Sequence, residues 1–402
     1  MDVATRKERV CQGVDRLRDT VLRISREIHA APELAFEEHQ AAALLTDALE
    51  KAGIAVQRGV YGLPTAFEGR LGSGDAPCVA LLAEYDALPE MGHACGHNII
   101  AAAAAGAALA LRELVREGPS DVLPGQIRIL GTPAEERGAG KELMARAGAF
   151  REVDFAMMIH PSGVNLISMP SIAVAEVEVR YRGEPAHAAA MPHRGINALD
   201  ALVLAYQSIG ALRQHIQVTE KVHGIITDGG QAPNVVPERS AGAFYARAAD
   251  RAALGVLKGR VEGCFRAGAE ATGATLEFEW GEADYLELRR NEPLELAFQQ
   301  NAEALGRAFF PFDKLPAGLQ GSTDMGNVSH RVPSIHPLVA AAPLHLMTHQ
   351  SEFTEYAGSE MGDQAALDGA KALAMTAIDV LCDESLKARA REVFEEAGPP
   401  AA

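Results

Sequence analysis

The chain has 402 residues, and its 37 Lys and Arg against 54 Asp and Glu give a formal net charge of −17 at pH 7. Hydrophobic residues make up 48% and charged residues 23%, a balance that is typical of a globular protein and excludes a disordered or fibrous chain. The acidic surplus argues against nucleic acid and membrane partners, because phosphate backbones and anionic lipids both attract cationic surfaces. At about 150 residues per domain, this length predicts two or three folding units.

The cysteines and the first residues indicate a reducing compartment. Five cysteines, an odd number, are scattered over positions 11, 78, 95, 264 and 382, which is not a disulfide framework. Residues 1–12 are polar and contain no apolar stretch of the kind found in signal peptides. An alanine-rich run over 99–111 is too short to span a bilayer and predicts a buried helix. The sequence therefore predicts a cytoplasmic protein.

The first part of the chain alternates helical periodicity with short apolar runs of the kind that form buried parallel strands. The predicted elements are, in order, helices over 14–28 and 37–52, a strand over 79–83, a helix over 99–117, a strand over 126–130, a helix over 141–147 and a strand over 155–159. This alternation is typical of an α/β sheet with crossover connections.

The pattern changes after about residue 170. Residues 176–181 alternate apolar and polar side chains, which predicts a half-exposed strand of an antiparallel sheet. The predicted elements here are that strand, a helix over 198–214, strands over 222–226 and 242–247, a helix ending near 273 and a strand over 275–280. This β-α-β-β-α-β order is the ferredoxin-like pattern.

The simplest architecture is therefore an α/β fold of two domains. A catalytic domain with a mixed, mostly parallel sheet would be built from residues 1–170 and 285–402, and a ferredoxin-like α+β lid domain of residues 171–284 would be inserted into it. Such insertions are tolerated because the termini of a domain often lie close together. Only the tail over 397–402 is predicted to be disordered.

The densest group of potential metal ligands is His93-Ala-Cys95-Gly-His97, which follows a predicted strand. Cys95 and His97 are two residues apart in an irregular loop, so both side chains can turn toward one point. Thiolate and imidazole suit a borderline-soft divalent ion such as zinc. The alternative is a packed thiol beside a histidine at a helix start, because free cysteines are usually buried and inert.

Further polar residues follow the next two predicted strands. Glu135 and Glu136 come after the strand over 126–130, and His160 comes after the strand over 155–159. Adjacent carboxylates can divide two roles, one binding a metal and the other acting as a base. The alternatives are an acidic helix start and a hydrogen-bonded core histidine. Because strands of an α/β sheet place ligands at their carboxyl ends, all these residues are expected to converge on one edge.

Several motifs resemble those of the M20 metallopeptidase and amidohydrolase family, and the Cys-Gly-His wording resembles its subfamily D. They are Leu-Leu-Ala-Glu-Tyr-Asp-Ala-Leu-Pro over 81–89, His-Ala-Cys-Gly-His-Asn over 93–98, Gly-Thr-Pro-Ala-Glu-Glu over 131–136, His-Ala-Ala-Pro-Glu over 29–33 and a lid-domain signature over 183–198. The resemblance spans nearly the whole chain. Its wording is most similar to the branches that contain β-alanyl-lysine-type dipeptidases and p-aminobenzoyl-glutamate hydrolases.

The resemblance implies a centre of two divalent metal ions, Zn²⁺ or Mn²⁺. The implied ligands are Cys95 as the bridging ligand, His97, Glu136, His160 and a late histidine, for which His349 is favoured and His345 is the alternative. Glu135 would be the general base, and Asp86 would orient a ligating histidine. His93 is expected to be structural.

In the inserted domain, the resemblance implies substrate-binding residues. His187 would reach the active site of the partner subunit in a homodimer formed through this domain, and would hydrogen-bond the developing oxyanion. Asn234 and Arg247 would hold a substrate carboxylate, a task that suits the planar fork of arginine. The alternative for Arg247 is a surface cation on a strand.

These roles predict metal-dependent hydrolysis of an amide bond in a dipeptide or an N-acyl amino acid with a free carboxylate. A metal-bridged water would attack, with Glu135 as its base, and β-alanyl-lysine-type dipeptides are the favoured substrates. Hydrolysis of p-aminobenzoyl-glutamate or of another N-acyl amino acid is the alternative. Two other hypotheses remain open: a thiol nucleophile at Cys95 with His97 as its base, and a metal-binding protein without catalytic activity.

Overall fold

A computed structural model of the chain describes residues 1–72, 77–118, 122–315 and 320–398, so residues 399–402 of the predicted disordered tail lie outside it. The chain forms two compact units. The first comprises Met1–Pro170, Leu288–Leu319 and Thr323–Ala402, and the second comprises Ser171–Glu287 and Gln320–Ser322.

The described residues contain twelve α-helices. They are α1 (Val3–Arg16), α2 (Arg18–Ala30), α3 (His39–Lys51), α4 (His97–Glu117), α5 (Gly140–Arg146), α6 (Ala198–Leu212), α7 (Arg251–Thr272), α8 (Glu292–Ala304), α9 (Met325–Ser329), α10 (Ser351–Ala357), α11 (Glu360–Cys382) and α12 (Glu384–Glu396).

The same part of the chain contains twelve β-strands. They are β1 (Ala55–Arg58), β2 (Phe67–Leu71), β3 (Cys78–Ala83), β4 (Gln126–Gly131), β5 (Phe155–Met157), β6 (His160–Ser162), β7 (Ala173–Arg182), β8 (Lys221–Asp228), β9 (Arg239–Ala248), β10 (Thr275–Trp280), β11 (Ser334–Ile335) and β12 (Leu338–Ala340).

The first unit is built on a mixed six-stranded sheet in the order β1-β2-β4-β3-β5-β11. Strands β4, β3, β5 and β11 run parallel, whereas β1 and β2 are joined antiparallel to their neighbours. Every residue of β3 is buried, as expected of a central parallel strand covered on both faces. Strand β12 pairs in parallel with β6 beside this sheet. The predicted α/β class is therefore confirmed, and the carboxyl ends of its parallel strands share one edge.

Helix α4 is the core helix of the first unit. Its length and composition would suffice to cross a membrane, but 83% of its most apolar window is buried inside the protein, as in the core helix of a globular fold. Its alanines and Gly106 allow close packing, because a Cβ atom at Gly106 would lie 2.9 Å from Val21 and 3.0 Å from Ala370 of α11. The small side chains thus set the spacing between α4 and its neighbours.

The second unit has the predicted ferredoxin-like order, with an antiparallel sheet arranged β10-β7-β9-β8. Along β7, Val177, Val179 and Tyr181 are buried, while the intervening side chains are partly or fully exposed. The buried face packs against α6 and α7, and Phe265 of α7 lies in the resulting core. The alternation seen in the sequence therefore identifies the face that carries this core.

Some details differ from the sequence-based expectations. The predicted helix over 14–28 is two helices that meet at Leu17, and the first begins at Val3 because the Asp2 carboxylate caps it through the Thr5 N–H. The predicted strand over 155–159 ends early, at Met157. The second unit extends beyond residue 284, because the backbone of Tyr285 pairs with that of Val174.

Candidate active site

Two neighbouring parallel strands present acidic residues at their carboxyl ends. Strand β3 is followed by Glu84 and Asp86, and β4 is followed by three loop residues and then by a turn that begins with Glu135 and Glu136. The Thr132 N–H donates to the carbonyl oxygen of Ala83 at 2.8 Å, so the pairing of the two strands continues past the end of β4. The two acidic segments consequently lie side by side at the edge of the sheet.

A glycine shapes the loop that carries Cys95 and His97. Gly96 has a φ of +76°, which favours glycine, and α4 begins at the next residue. A Cβ atom at Gly96 would lie 2.5 Å from Cγ of Pro161. The loop can therefore pass close to the segment that carries His160 only because residue 96 has no side chain.

Asp86 ties this loop to the acidic turn after β4. Its Oδ1 atom accepts a hydrogen bond from Nδ1 of His97 at 2.9 Å, and its Oδ2 atom accepts one from the Glu136 N–H, also at 2.9 Å. With the proton on Nδ1, the Nε2 atom of His97 keeps its lone pair for another partner. Asp86 is thus placed to orient His97, the role predicted for it.

The predicted ligand residues form two groups that share the thiol of Cys95. Cys95, His97 and His160 form one group, and Cys95, Glu136 and His349 form the other; within each, the candidate ligand atoms lie within 4.8 Å of one another. The Cys95 Sγ atom is 3.4 Å from Nε2 of His160. Nε2 of His349 is 3.4 Å from Oε2 of Glu136. A shared thiol between two groups fits the bridging role that was predicted for Cys95.

Buried polar atoms in these groups also fit a cation. Among the described residues, Nε2 of His97 and Oε1 of Glu136 are buried without a hydrogen-bond partner, although the two atoms lie 3.7 Å apart. Buried polar atoms normally have partners, because an unmade hydrogen bond costs free energy. Thiolate, imidazole and carboxylate together form a donor set that suits zinc and similar divalent ions. The residues present therefore fit a pair of metal ions.

The surroundings shift the pKa values of the two adjacent glutamates in opposite directions. Burial, reinforced by Glu84, Glu136 and Asp324, raises the pKa of the Glu135 carboxyl well above its usual value. Burial also acts to raise the pKa of Glu136, but the neighbouring imidazoles of His349 and His97 outweigh it and lower that pKa. Two adjacent carboxyl groups with opposite shifts are typical of an acid–base residue beside a ligand.

Cys95 is a poor candidate for an independent nucleophile. Its side chain is buried, and burial together with the negative charge of Glu136 raises the pKa of the thiol well above its ordinary value. A nucleophilic cysteine needs a lowered pKa, whereas a bound metal ion deprotonates a coordinating thiol directly. The geometry therefore favours Cys95 as a ligand over Cys95 as a nucleophile.

One candidate ligand, and the residue that precedes the candidate base, have a left-handed backbone conformation that is uncommon outside glycine. His349 has a φ of +66°, and Ala134, which precedes Glu135, has a φ of +60°. Such strain persists only where the surroundings hold it, and it clusters at functional sites. His349 is held by its N–H, which donates to the Ala94 carbonyl oxygen at 2.9 Å. His345, the alternative ligand, is exposed and belongs to neither Cys95 group.

The structure adds residues to which the sequence assigned no role. Glu84, Lys141 and Asp324 form a fully buried ionic cluster next to Glu135. His336 is also buried, and its ring lies edge-on to that of His160 at a centroid distance of 5.4 Å. Glu84 could have been noticed, since it lies two residues before Asp86 in the same motif. Lys141 gave no such signal.

In the second unit, the structure brings His187 and the segment of Asn234 together. The Ala188 N–H donates to the Asn234 carbonyl oxygen at 3.0 Å. His187 is exposed, and its Nδ1 atom accepts hydrogen bonds from the backbone N–H groups of Ala189 and Ala190 at 3.3 and 3.2 Å. Nδ1 is thus turned toward its own backbone, and Nε2 lies on the free edge of the ring, where it can donate a hydrogen bond when it carries a proton.

Arg247 lies on β9 among neutral partners. Its Nη1 atom donates to the Ser322 hydroxyl at 3.1 Å, and its Nε atom donates to Nε2 of His223 at 3.2 Å. Among the described residues it has no acidic partner, and burial lowers the pKa of its guanidinium. A partly buried cation without a counter-charge is suited to receive a carboxylate from a ligand.

Known proteins resemble this chain over most of its length. The sequence profile of peptidase family M20/M25/M40 matches residues 80–377. An Xaa-Arg dipeptidase of Mus musculus is 43% identical over 399 residues, which cover 97% of this chain and 92% of the relative. A subunit of the p-aminobenzoyl-glutamate hydrolase of Escherichia coli is 29% identical over 433 residues, covering 90% of this chain and 89% of the relative.

A solved structure has the same fold. A dinuclear metal-binding peptidase of the M20 family from Bacillus subtilis matches with a TM-score of 0.68 at 21% identity, covering 91% of this chain and 99% of that one. Fold, site and sequence together define a hydrolase of the metallopeptidase class. The chain belongs to peptidase family M20/M25/M40, which confirms the family predicted from its motifs.

The hydrogen bonds of Asp86 predict a measurable effect on metal binding. In Asp86→Asn one oxygen becomes an amide nitrogen, which cannot accept, so either His97 or the Glu136 N–H loses its partner. We expect the affinity of the apoprotein for Mn²⁺, measured by calorimetry, to fall about 10- to 100-fold. Asp47→Asn, at an exposed ion pair with Arg58, is the control. Equal affinities of the two variants would show that Asp86 does not orient the ligands.

Proposed function

We propose that this chain is a metal-dependent dipeptidase that releases a basic C-terminal residue, lysine or arginine, from its substrate. The observation that carries the proposal is the pair of ligand groups sharing Cys95, with Glu135 beside them. The basic residue is supported by the 43% identity to an Xaa-Arg dipeptidase over 97% of the chain. The β-alanyl-lysine-type dipeptides favoured by the sequence belong to the same substrate class.

Two metal ions would be held by the residues that share Cys95. His97 and His160 would complete one position, and Glu136 and His349 the other. Zinc or manganese is the proposed metal, since the donor set combines a thiolate and imidazoles with a carboxylate. When bound, the ions supply Lewis acidity toward the scissile carbonyl and toward the attacking water.

The proposed proton transfers belong to Glu135. Its carboxylate accepts a proton from the water as the oxygen attacks the carbonyl carbon, and then delivers that proton to the amine nitrogen as the C–N bond breaks. A carboxyl whose pKa is raised by burial and by neighbouring carboxylates holds a proton more readily between the two transfers. His187 would donate from Nε2 to the oxyanion that develops on the carbonyl oxygen.

Replacing Glu135 tests this mechanism. Glu135→Gln keeps the shape of the side chain but removes the base, so kcat is expected to fall about 100- to 10,000-fold. The assay is release of lysine or arginine from the dipeptide by the Mn²⁺-loaded enzyme, with metal content measured alongside. Glu37→Gln, at a largely exposed glutamate that precedes α3, is the matched control. Unchanged turnover in Glu135→Gln would refute the mechanism.

The same assay separates the remaining hypotheses. Removal of metal with EDTA is expected to abolish activity, and Zn²⁺ or Mn²⁺ is expected to restore it. A thiol nucleophile at Cys95 would instead retain activity after metal removal. A protein that binds metal but turns over no substrate would support the third hypothesis, in which catalysis is absent.

The basic-residue preference and the carboxylate site are tested together. We expect β-alanyl-lysine and Xaa-Arg dipeptides to be hydrolysed faster than p-aminobenzoyl-glutamate, the alternative suggested by the E. coli relative. In Arg247→Met, loss of a charge-assisted pair is expected to lower kcat/KM about 10- to 100-fold. A dipeptide with a C-terminal amide, which lacks the carboxylate, is expected to be insensitive to this substitution.

Arg180→Met is the control, because Arg180 lies on the exposed face of β7 in the same unit. Equal losses for the free-carboxylate dipeptide and its amide would argue against the role of Arg247. Faster hydrolysis of p-aminobenzoyl-glutamate would favour the alternative substrate class.

We also propose that the chain forms a homodimer through the second unit. Strand β8 is an edge strand, bonded only to β9 on one side among the described strands, and Ile225 and Ile226 on it are 64% and 42% exposed. An unpaired edge with apolar side chains is suited to pairing with a second copy. A dimer would also give the exposed His187 a route to the site of the partner subunit.

Light scattering after size-exclusion chromatography tests this proposal. We expect the mass of a dimer for the native chain and a shift toward monomer in Ile225→Lys, because a charge would then have to be buried in the interface. Val256→Lys, at a 66% exposed position of α7, is the control. A fully active monomeric native protein would refute both the dimer and the role of His187 in the partner's site.

A further inference from the structure

A lysine side chain is completely buried next to the candidate metal centre. Lys141 is the second residue of α5, and its side chain has no exposed surface. Its Nζ atom donates to Oδ1 of Asp324 at 2.7 Å and to Oε1 of Glu84 in a close contact. The carboxylates of both partners are also fully buried. Among the buried ionic contacts of the described chain, this one lies directly beside the proposed base.

The cluster extends to Glu135 and to the ligand histidine. Oxygen atoms of Glu84, Glu135 and Asp324 lie within 4.8 Å of one another, an arrangement that could hold a metal ion. The second oxygen of Glu84, Oε2, lies 3.6 Å from Nε2 of His97 and has no hydrogen-bond partner among the described residues. The ammonium group of Lys141 binds two of these three carboxylates, those of Glu84 and Asp324. The carboxylate cluster therefore already contains a cation that is part of the chain.

The backbone of Lys141 is tied to the turn that carries Glu135. The Lys141 N–H donates to Oδ2 of Asp324 at 2.9 Å, and the preceding Gly140 N–H donates to the Ala134 carbonyl oxygen at 3.2 Å. Gly140 also packs so closely that a Cβ atom there would lie 1.8 Å from the Pro133 carbonyl oxygen. The start of α5 and the turn of Glu135 are therefore one packed assembly.

We propose that Lys141 is a positioning residue for Glu135, and that its ammonium group acts as the permanent counter-cation of the Glu84–Glu135–Asp324 carboxylate group. Without that charge the carboxylates would repel one another in a site with little water, and the Glu135 side chain would turn away from the others. With it, Glu84 and Asp324 are held on one side, and Glu135 stays directed toward the ligand groups of Cys95. The proposal rests on the proposed role of Glu135 as the base.

A purely structural role would not require these charges. Burying one ammonium and two carboxylates is costly, and apolar residues of similar volume commonly give equal or greater stability. Lys387 of α12 offers a comparison within the chain, because it is also buried and donates to Glu384 at 2.6 Å and to the Leu381 carbonyl oxygen at 3.4 Å. It belongs to none of the candidate ligand groups.

Lys141→Met, which keeps all but the last atom of the side-chain length and removes its charge, tests the proposal. In the Mn²⁺-loaded, full-length enzyme we expect kcat to fall about 100-fold, since a misplaced base loses most of its effect. We expect KM to stay within about twofold of the native value. The number of bound metal ions per chain is measured by inductively coupled plasma mass spectrometry, and it is also expected to stay within about twofold of the native number. Lys387→Met is the matched control and is expected to retain native kcat.

Chemical rescue distinguishes the charge from the volume of the side chain. In Lys141→Ala, added n-propylammonium, which corresponds to the atoms missing beyond Cβ, is expected to restore part of kcat. The uncharged n-propanol, which has a similar shape, is expected to restore none. If the lysine variants do not fold, as judged by circular dichroism, Asp324→Asn tests the same cluster from the other side. It keeps the shape of the carboxylate but removes one of the two anions that hold the Lys141 ammonium group in place. With the ammonium group released, kcat is expected to fall without loss of metal.

Several outcomes would overturn the proposal. A positioning role would be excluded by native kcat in Lys141→Met or in Asp324→Asn, or by loss of bound metal in either variant. Equal rescue of Lys141→Ala by n-propanol would exclude it as well. The result for Glu135→Gln separates this failure from that of the proposed function. If Glu135→Gln is inactive while Lys141→Met has native kcat, only the role of Lys141 fails. If Glu135→Gln has native kcat, the proposed role of Glu135 as the base fails, and the role of Lys141 fails with it.

Discussion

The carboxylate of Asp86 couples the segments from which the candidate site is built. It accepts one hydrogen bond from His97 at the start of α4 and another from the backbone of Glu136 after β4. Asp86 itself is buried, and hydrogen bonds in the protein interior are stronger than in water and costly to leave unmade. The direction of the His97 imidazole and the placement of the acidic turn are therefore set by one side chain, and the groups around Cys95 follow from it.

Much of the fold was predictable from sequence where buried and exposed side chains alternate at the regular spacing of a strand or a helix. The alternation along β7 identified its buried face, and the element order of the second unit identified the ferredoxin-like pattern before any pairing was known. Strand β1 was missed, because three of its four residues are exposed and its sequence carries no alternation. Helix α1 was missed because its polar surface conceals a narrow stripe of three buried residues, Val10, Gly13 and Val14.

The candidate ligands could be predicted because they follow strands, and parallel strands end at a common edge. Their roles were predicted from motif resemblance and not from periodicity. The preference for His349 over His345 depended only on the similarity of residues 349–353 to a family motif. Lys141 was not predictable in the same way. A lysine at the start of a short helix is usually exposed. Its carboxylate partners lie 57 and 183 residues away, so only the folded chain shows that its charge is neutralised.

The position of the inserted unit has a consequence for how the enzyme is made. Cys95, His97, Glu136 and His160 precede residue 171, whereas His349 follows residue 287, so the last candidate ligand is synthesised only after the entire second unit. Domains generally fold as units during synthesis, starting from the N-terminus. The nascent chain therefore carries an incomplete set of ligands while the inserted unit forms. The set of candidate ligands is consequently completed late in synthesis, only after the whole inserted unit has been made.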